Sequence, residues 1–528
     1  MGTLRRPHRF ITHYSRLLKE VFTMLHRIIL FVLVSVSILT NPALAGDKKV
    51  IIGFRHDAGL SESDKHEKVH RAGGTIFRDH RSINAVSAEL SEESISALKK
   101  DPHVAYIEAD KVITVVEPVL VASSSDQELV DSWGVKRIGA DMAAMQGITG
   151  AGVKVAILDT GIDSNHPDLK DNYKGGYNFV YDNNDPYDDS RYGHGTHLAG
   201  IIAARDNGTG VVGVAPEASI YALKVLNGGL MGSTTDILAG IEWAITNKMN
   251  VINMSFGAQM DSQAFRDACD AAFKSGIVLV AAAGNFNQPI VDNPAGFDPV
   301  IAVSATAQDD TKAPFSNYGA KVELSAPGVA VMSTVPGGGY GLMSGTSQAA
   351  PHVSGVAALI FSAGIKDENG DGSLADEIRQ RLVATATDLG DPGRDVYFGY
   401  GLVNAARAVD IAQHYTVTRT DDHRGNGALD VVLKPGTYTI GISNNGLKNI
   451  IVNTLGADNG KCYPLVRVTA DASLEHVNDE VIASFSFGPE QPQTVSFALK
   501  VEADCTIWFS PHGRAGTSAA ITVAPIGS

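Results

Sequence analysis

The chain has 528 residues, 44% of them hydrophobic and 19% charged. It is long enough for several domains, and its ordinary globular composition excludes long disorder. Its formal charge of −15 divides into +5 on residues 1–45, −2 on 46–118 and −18 on 119–528, which argues against nucleic acid as a partner of that last segment and eases cation binding.

Ile28–Leu39 is a mostly apolar run, too short to span a bilayer comfortably. Arg27 precedes it, and Pro42 with Ala43-Leu44-Ala45 follows. This is the pattern of a secretory signal cut after Ala45. The segment before the run is long, which leaves Met24 as an alternative start. Since no later stretch reads as transmembrane, the expectation is an exported protein, extracellular or periplasmic, without a membrane span.

After the leader come strands at Lys49–Phe54, Thr75–Phe77, Ala85–Leu90 and Val104–Ile107, with helices at Ser61–Ala72 and Ser91–Lys100. These predict a small α+β module of β-α-β-β-α-β type. Val119–Gln127 holds three consecutive serines and no periodicity, and reads as an exposed, cleavable linker. Apolar runs at Val153–Leu158, Ser219–Val225, Val251–Met254, Ile277–Ala281 and Val300–Ala305 then alternate with helical patterns at His197–Arg205, Thr235–Asn247, Ala264–Ser275 and Ser347–Ala363. Continuous apolar strands between helices predict an α/β domain with a doubly wound, mostly parallel sheet buried on both faces. From about Tyr415 only short alternating segments remain, such as Tyr438–Ser443, Ala483–Phe487 and Thr494–Leu499, which predict an all-β, sandwich-like appendage. The expected layout is therefore a leader at 1–45, a small α+β module and linker at 46–126, an α/β domain at 127–413 and a β-rich domain at 414–528. Cys462 and Cys505 share that last region, which suggests one disulfide between them. Cys269 lies in a helical pattern and reads as a core thiol.

Three residues carry the chemistry. Asp159 ends the first strand of the parallel pattern, His194 stands where a loop enters an apolar helix, and Ser347 opens another helix. A serine hydroxyl needs a base to become nucleophilic, and the base needs an acid to fix its tautomer. The carboxyl ends of parallel strands are where such groups collect.

In the order Asp, His, Ser, with Gly193-His194-Gly195-Thr196-His197 and Gly345-Thr346-Ser347-Gln348-Ala349-Ala350-Pro351, the chain resembles the subtilisin family. That family is itself a standard illustration of this order. The resemblance covers about residues 127–413. It implies a serine endopeptidase in which Ser347 is the nucleophile, His194 the general base and then acid, and Asp159 its orienting partner. Ala281-Ala282-Ala283-Gly284-Asn285 resembles the oxyanion segment, with Asn285 as a donor. Ser255, Phe256 and Gly257 resemble one backbone strip for an extended substrate, and Leu230–Gly232 the other. Gln348 departs from the methionine common in the family. Residues 46–116, notably Asp101-Pro102-His103-Val104, resemble the inhibitory pro-module, which implies an intramolecular chaperone and inhibitor cut off between Val116 and Gln127.

The resemblance also implies structural calcium, with no cofactor for catalysis. Asp168 and Asn207 match side-chain ligands of one site, completed by the carbonyls of Arg205, Thr209 and Val211 and by a group near Leu129, with Gln127 or Asp131 as substitutes. The acidic run 182–189, including Asp182 and Asp185, is similar to a second calcium loop, with a solvated loop as the competing reading. Asp367–Gly372 looks like the start of an EF-hand loop, but Ile378 stands at its twelfth position and Glu377 one place early. His66-Glu67-Lys68-Val69-His70 spells a zinc-protease motif, yet it lies on a polar helix of the pro-module and reads as a solvated face.

The leading expectation is a broad endopeptidase whose pocket wall, Ala281–Gly284, carries Ala283 and Gly284 and no acid, so that large apolar P1 residues are preferred. A processing protease with few targets is one alternative. A surface-binding protein acting through its C-terminal domain is the other.

Overall fold

The computed structural model describes residues 47–115, 121–123 and 132–409, and nine strands between Gln413 and Pro525. The leader and most of the linker lie outside the described residues. The chain divides into two compact units, one comprising 47–77 with 87–109 and the other 78–86 with 110 onward.

The smaller unit follows the expected order. Strands β1 (Lys48–Phe54), β2 (Thr75–His80), β3 (Ala85–Leu90) and β4 (Val104–Ala109) form a sheet ordered β2-β3-β1-β4, with helices α1 (Glu62–Arg71) and α2 (Glu92–Leu98) between strands. Each helix begins behind a serine. Ser61 accepts from the Asp64 amide while Asp64 reaches back to the Ser61 amide, and Ser91 accepts from the Ser94 amide. On α1, Glu67 pairs with Arg71, and His70 Nδ1 meets the Gly74 carbonyl at 3.1 Å. Two residues of the zinc-like motif are thus engaged in ordinary helix contacts.

In the larger unit the chain enters by two short strands, β5 (Val112–Thr114) and β6 (Val121–Ser123). Strand β6 lies within the expected linker and pairs antiparallel with Leu342–Tyr340, because an extended segment beside an open sheet edge can satisfy its backbone groups there. Two short helices follow, α3 (Trp133–Arg137) and α4 (Ala140–Met145).

The central sheet has seven strands, all parallel: β7 (Lys154–Asp159), β8 (Tyr173–Asn178), β9 (Ser219–Lys224), β11 (Val251–Met254), β12 (Val278–Ala282), β13 (Val300–Thr306) and β14 (Leu324–Pro327). A short strand β10 (Met231–Ser233) lies outside it, paired with β5. The order β14-β13-β12-β11-β7-β9-β8 reverses direction at β7, and ligand sites form at the carboxyl ends of strands at such a switch point.

Four longer helices occupy the expected positions, each within a few residues: α5 (His194–Ala203), α6 (Thr234–Thr246), α7 (Gln263–Lys274) and, after a hairpin of β15 (Val331–Val335) and β16 (Gly339–Met343), α8 (Thr346–Ser362). Every residue of α5 is buried, and so is α8 through Ile360. A helix apolar all round is a core helix. Small residues permit the close packing: a Cβ at Gly200 would lie 2.3 Å from Ser333 Oγ, and one at Gly355 would lie 2.5 Å from Val214 Cβ.

Helices α9 (Ala375–Thr385) and α10 (Ala405–Val409) end the α/β part. Strands β17 (Gln413–Thr418), β18 (Leu429–Leu433), β19 (Gly436–Asn445), β20 (Asn449–Leu455), β21 (Cys462–Leu465), β22 (Val481–Ser486), β23 (Thr494–Val501), β24 (Cys505–His512) and β25 (Ser518–Pro525) then form two antiparallel sheets, β17-β25-β19-β23-β21 and β18-β24-β20-β22. Cys462 and Cys505 stand on strands of different sheets. Their side chains, and with them the expected disulfide, lie outside the description. Cys269 is free and buried. No helix among the described residues is long and apolar enough to cross a membrane.

Candidate active site

Asp159 is the last residue of β7 and is fully buried. His194 is the first residue of α5, and its Nδ1 lies 2.7 Å from Asp159 Oδ1. The start of α5 is held tightly. Gly193 takes a left-handed conformation (φ 66°) that turns the loop into the helix. Ser190 Oγ accepts the His194 amide, Thr160 Oγ1 the Gly195 amide, and Asp188 Oδ2 the Thr196 amide. These are orphan donors of a helix N-terminus, and three side chains satisfy them. Asp188 is buried and also accepts from the Thr196 and Ser190 hydroxyls. Lys224, 1% exposed, sends its ammonium to the Thr160 and Leu226 carbonyls and to Asp189, which anchors the turn after Asp159.

Burial works against a charged His194 ring, but the charge and hydrogen bond of Asp159, with a further contribution from Asp188, outweigh it and raise the pKa above its ordinary value. His197 and His352 behave oppositely: burial pushes them down to about 3 and about 4. His197 Nε2 contacts the Val331 and Gly341 carbonyls, and His352 Nδ1 contacts the Gln348 carbonyl. Both are structural.

Ser347 is the second residue of α8, and its hydroxyl donates to the Ser255 carbonyl at 2.9 Å. Among the described hydrogen bonds none joins it to His194. Ser255 Oγ in turn donates to the Ser347 carbonyl, so the strip after β11 and the start of α8 are tied twice. Asn285 Oδ1 accepts from both the amide and the hydroxyl of Thr346, at 2.8 and 2.9 Å, which leaves the Nδ2 end to donate elsewhere.

Ser347 and Asn285 line one pocket with Ser255, Phe256, Gly257 and Gly284. Thr114 and Val115 line it as well. Strand β5 pairs antiparallel with β10, Ile113 opposite Gly232, and the Val115 amide donates to the Leu230 carbonyl. The two strips expected for substrate thus border an extended stretch of the chain itself. Ala283 is a correction: Ala282 and Gly284 line the pocket, while Ala283 is buried away from it, because alternate residues of an extended chain face opposite ways. The absence of an acid is a second correction. Asp292 lines the pocket too, brought there by a loop beyond the window Ala281–Gly284 that the sequence reading used. The signal that could have found it is an acid seven residues after Asn285, ahead of Pro294.

The residues matched to calcium also converge. Asp168 is fully buried; its Oδ1 takes Asn207 Nδ2 at 3.0 Å, its Oδ2 the Tyr340 hydroxyl at 2.9 Å and the Val211 amide at 3.3 Å, and its carbonyl the Arg205 amide. Thr209 bonds Asn207 Oδ1. The side-chain oxygens of Asp168 and Asn207, the class of donor a hard cation takes, thus lie together, and the groups that reach the Asp168 carboxylate here are N–H and O–H donors. In the second loop Asp182 takes the Tyr177 hydroxyl, and Asp185 takes the Tyr187 amide. In the third, Asp367 accepts the Gly370 and Gly372 amides, while Glu377 accepts those of Glu368 and Asn369.

The subtilase family model matches residues 150–401, and that of peptidase inhibitor I9 matches 49–115. Subtilisin NAT from Bacillus subtilis subsp. natto and subtilisin E from Bacillus subtilis are each 42% identical over 367 residues, which is 69% of this chain and 90% of each relative. The chain belongs to the subtilase family. A thermostable alkaline protease from Halalkalibacterium halodurans is 40% identical over 379 residues, 71% of this chain and 96% of that protein. This subtilase is a serine endopeptidase with an I9-type pro-module ahead of its catalytic domain.

Proposed function

We propose that this subtilase is an exported endopeptidase, made as a self-cut zymogen, that hydrolyses peptide bonds with Ser347, His194 and Asp159. The observation that carries the reading is the 2.7 Å bond between His194 and Asp159, together with a pocket shared by Ser347, Asn285 and the stretch 114–115. Ser347 turns from the Ser255 carbonyl toward His194, attacks the scissile carbonyl and passes its proton to the imidazole. Asp159 holds the ring and stabilises the imidazolium. Asn285 Nδ2 and the Ser347 amide bind the oxyanion, and His194 then returns the proton to the leaving amine. Water repeats the sequence on the acyl-enzyme.

The layout that accompanies this reading is a leader at 1–45, a pro-module and linker at 46–126, a catalytic domain at 127–413 and a β domain at 414–528. The pairing of β5 with β10 supports a pro-module tail that occupies the substrate strip until it is cut. Calcium at Asp168, Asn207 and the loop 205–211 is structural in this scheme and takes no part in the chemistry. Phe256, Ala282 and Phe286 line the pocket and favour large apolar P1 residues. No observation favours the few-target or surface-binding alternative.

The test is Ser347→Ala. It abolishes peptidase activity and leaves a precursor with its pro-module attached, in a purified preparation free of other proteases. Clean maturation of that variant overturns the self-processing scheme.

A further inference from the structure

The pocket beside Ser347 contains one group that the proposed chemistry does not use. Asp292 is 3% exposed, its Oδ1 is buried without a hydrogen-bond partner, and none of the described ion pairs or side-chain hydrogen bonds reaches its carboxylate. Its backbone is fixed, since its amide donates to the Ala283 carbonyl and its carbonyl accepts the Gly296 amide, each at 3.0 Å. Two glycines make room for the side chain. A Cβ on Gly257 would lie 2.9 Å from Asp292 Cβ, and one on Gly284, whose φ is 110°, would lie 2.3 Å from Asp292 Oδ2. The carboxylate therefore sits between the walls of the pocket that follow β11 and β12.

A buried carboxylate without a partner is costly, and such groups call for an explanation. Burial alone pushes Asp292 up to about 6, with no neighbouring charge contributing. Among the described pocket-lining residues, those of the strip 255–257, the turn 282–286, the start of α8 and the stretch 114–115, Asp292 is the only carboxylate, and no cationic side chain accompanies it. The site thus presents a buried negative group among uncharged walls, and a counter-charge for it has to come from whatever enters.

We propose that Asp292 is a specificity-determining residue that gives the pocket a second class of P1 side chain, lysine and arginine, besides large apolar ones. An entering ammonium or guanidinium supplies the partner that the fold withholds, and a desolvated charge pair in such a place discriminates strongly. The chain's own sequence shows that the pocket is not restricted to cations. Between Lys111 and Lys136 there is no lysine or arginine, so self-cleavage in the linker takes place after a residue that carries no positive charge. Protonated, Asp292 is a neutral wall that accepts apolar side chains; ionised, it recruits cations.

This inference rests on the serine endopeptidase reading of the same site. The experiment uses the matured enzyme and tetrapeptide anilides identical at P2–P4, with Phe, Lys or Arg at P1. The readout is the ratio of kcat/KM for Lys or Arg to that for Phe, in which a general loss of activity cancels. Wild type is expected to show this ratio rising from pH 5 to 8, with His194 cancelling because it serves all three substrates. Asp292→Asn should lower the ratio at pH 8 by at least about tenfold and flatten its pH profile, with Asp292→Ser as a second variant should the first not mature. Phe cleavage with a ratio unchanged by both substitutions overturns the inference and leaves the function standing. Failure to cleave any of the three anilides, together with failure of a fluorophosphonate to label Ser347, overturns both.

Discussion

Thr346 Oγ1 makes two bonds that converge on Asn285, the residue proposed as oxyanion donor: it donates to Asn285 Oδ1 at 2.9 Å and accepts the Gly284 amide at 3.1 Å. The residue before the nucleophile thereby sets the direction in which the Asn285 amide points. Thr346→Val keeps the shape and removes both bonds. It should lower kcat by about tenfold and leave KM within about twofold, because the donor acts on charge that develops in the transition state. Asn285→Ala should cost about a hundred- to a thousandfold in kcat. Thr346→Ser should restore most of the loss, and an effect confined to KM would remove Thr346 from this role.

Asp188 is the second group to test. It caps α5 through the Thr196 amide at 2.9 Å and hydroxyl at 2.8 Å, and holds Ser190, whose Oγ accepts the His194 amide. Asp188→Ala should destabilise the protein by about 1–3 kcal/mol. Denaturant titration in a Ser347→Ala background, where autolysis is absent, measures this. The same substitution in the active enzyme should lower kcat/KM, since His194 loses its seat. A stable variant with normal kinetics would show the cap to be redundant.

The histidines predict two opposite responses to pH. His194 is raised above its ordinary value, and it must be neutral to act as a base. The acid limb of kcat/KM for an uncharged substrate should therefore fall above 6.5. His197 and His352, held down to about 3 and about 4, bind protons in the unfolded chain before they do so in the folded one. Stability should fall as pH drops from about 6.5 toward 4, each of the two contributing a slope of up to about 1.4 kcal/mol per pH unit. A flat stability profile across that window, in the Ser347→Ala background, would contradict the burial argument.

Chelation of calcium should lower the thermal midpoint and speed autolysis, and leave the initial rate on a small peptide nearly unchanged. A site that binds only the folded form adds about 2.7 kcal/mol at a hundredfold excess over Kd. Asp168→Ala should reproduce part of the effect at saturating calcium. Unaltered stability and autolysis on chelation would mean that Asp168 and Asn207 hold the 205–211 loop without a metal.

The parts of this molecule that could be read from its sequence share a physical character. The strand Val251–Met254 and the start of α8 are local, strongly patterned and buried, so apolar runs and glycine-rich turns announce them. What was missed depends on contacts made elsewhere. Strand β8 reads Tyr-Lys-Gly-Gly-Tyr-Asn, a half-exposed edge with two glycines, and only pairing with β9 makes it a strand. Strand β14, Leu-Ser-Ala-Pro, is a strand because Val303–Thr306 lies beside it. Asp292 belongs to this class: nothing local marks it as a pocket residue, and only the return of its loop against Ala283 brings it beside Gly284.

The pairing of Val112–Thr114 with Met231–Ser233 uses main-chain groups alone, and main-chain groups are common to every polypeptide. If that stretch is cut away, as the proposed zymogen scheme requires, β10 offers an open strand edge to anything able to lie flat along it. Folded domains keep their strands and helices engaged internally and cannot offer a free run of backbone. The enzyme should therefore sort its targets by conformation before it sorts them by side chain, taking loose termini, frayed loops and denatured chains first. A compact protein in the same mixture would persist for as long as it remained folded.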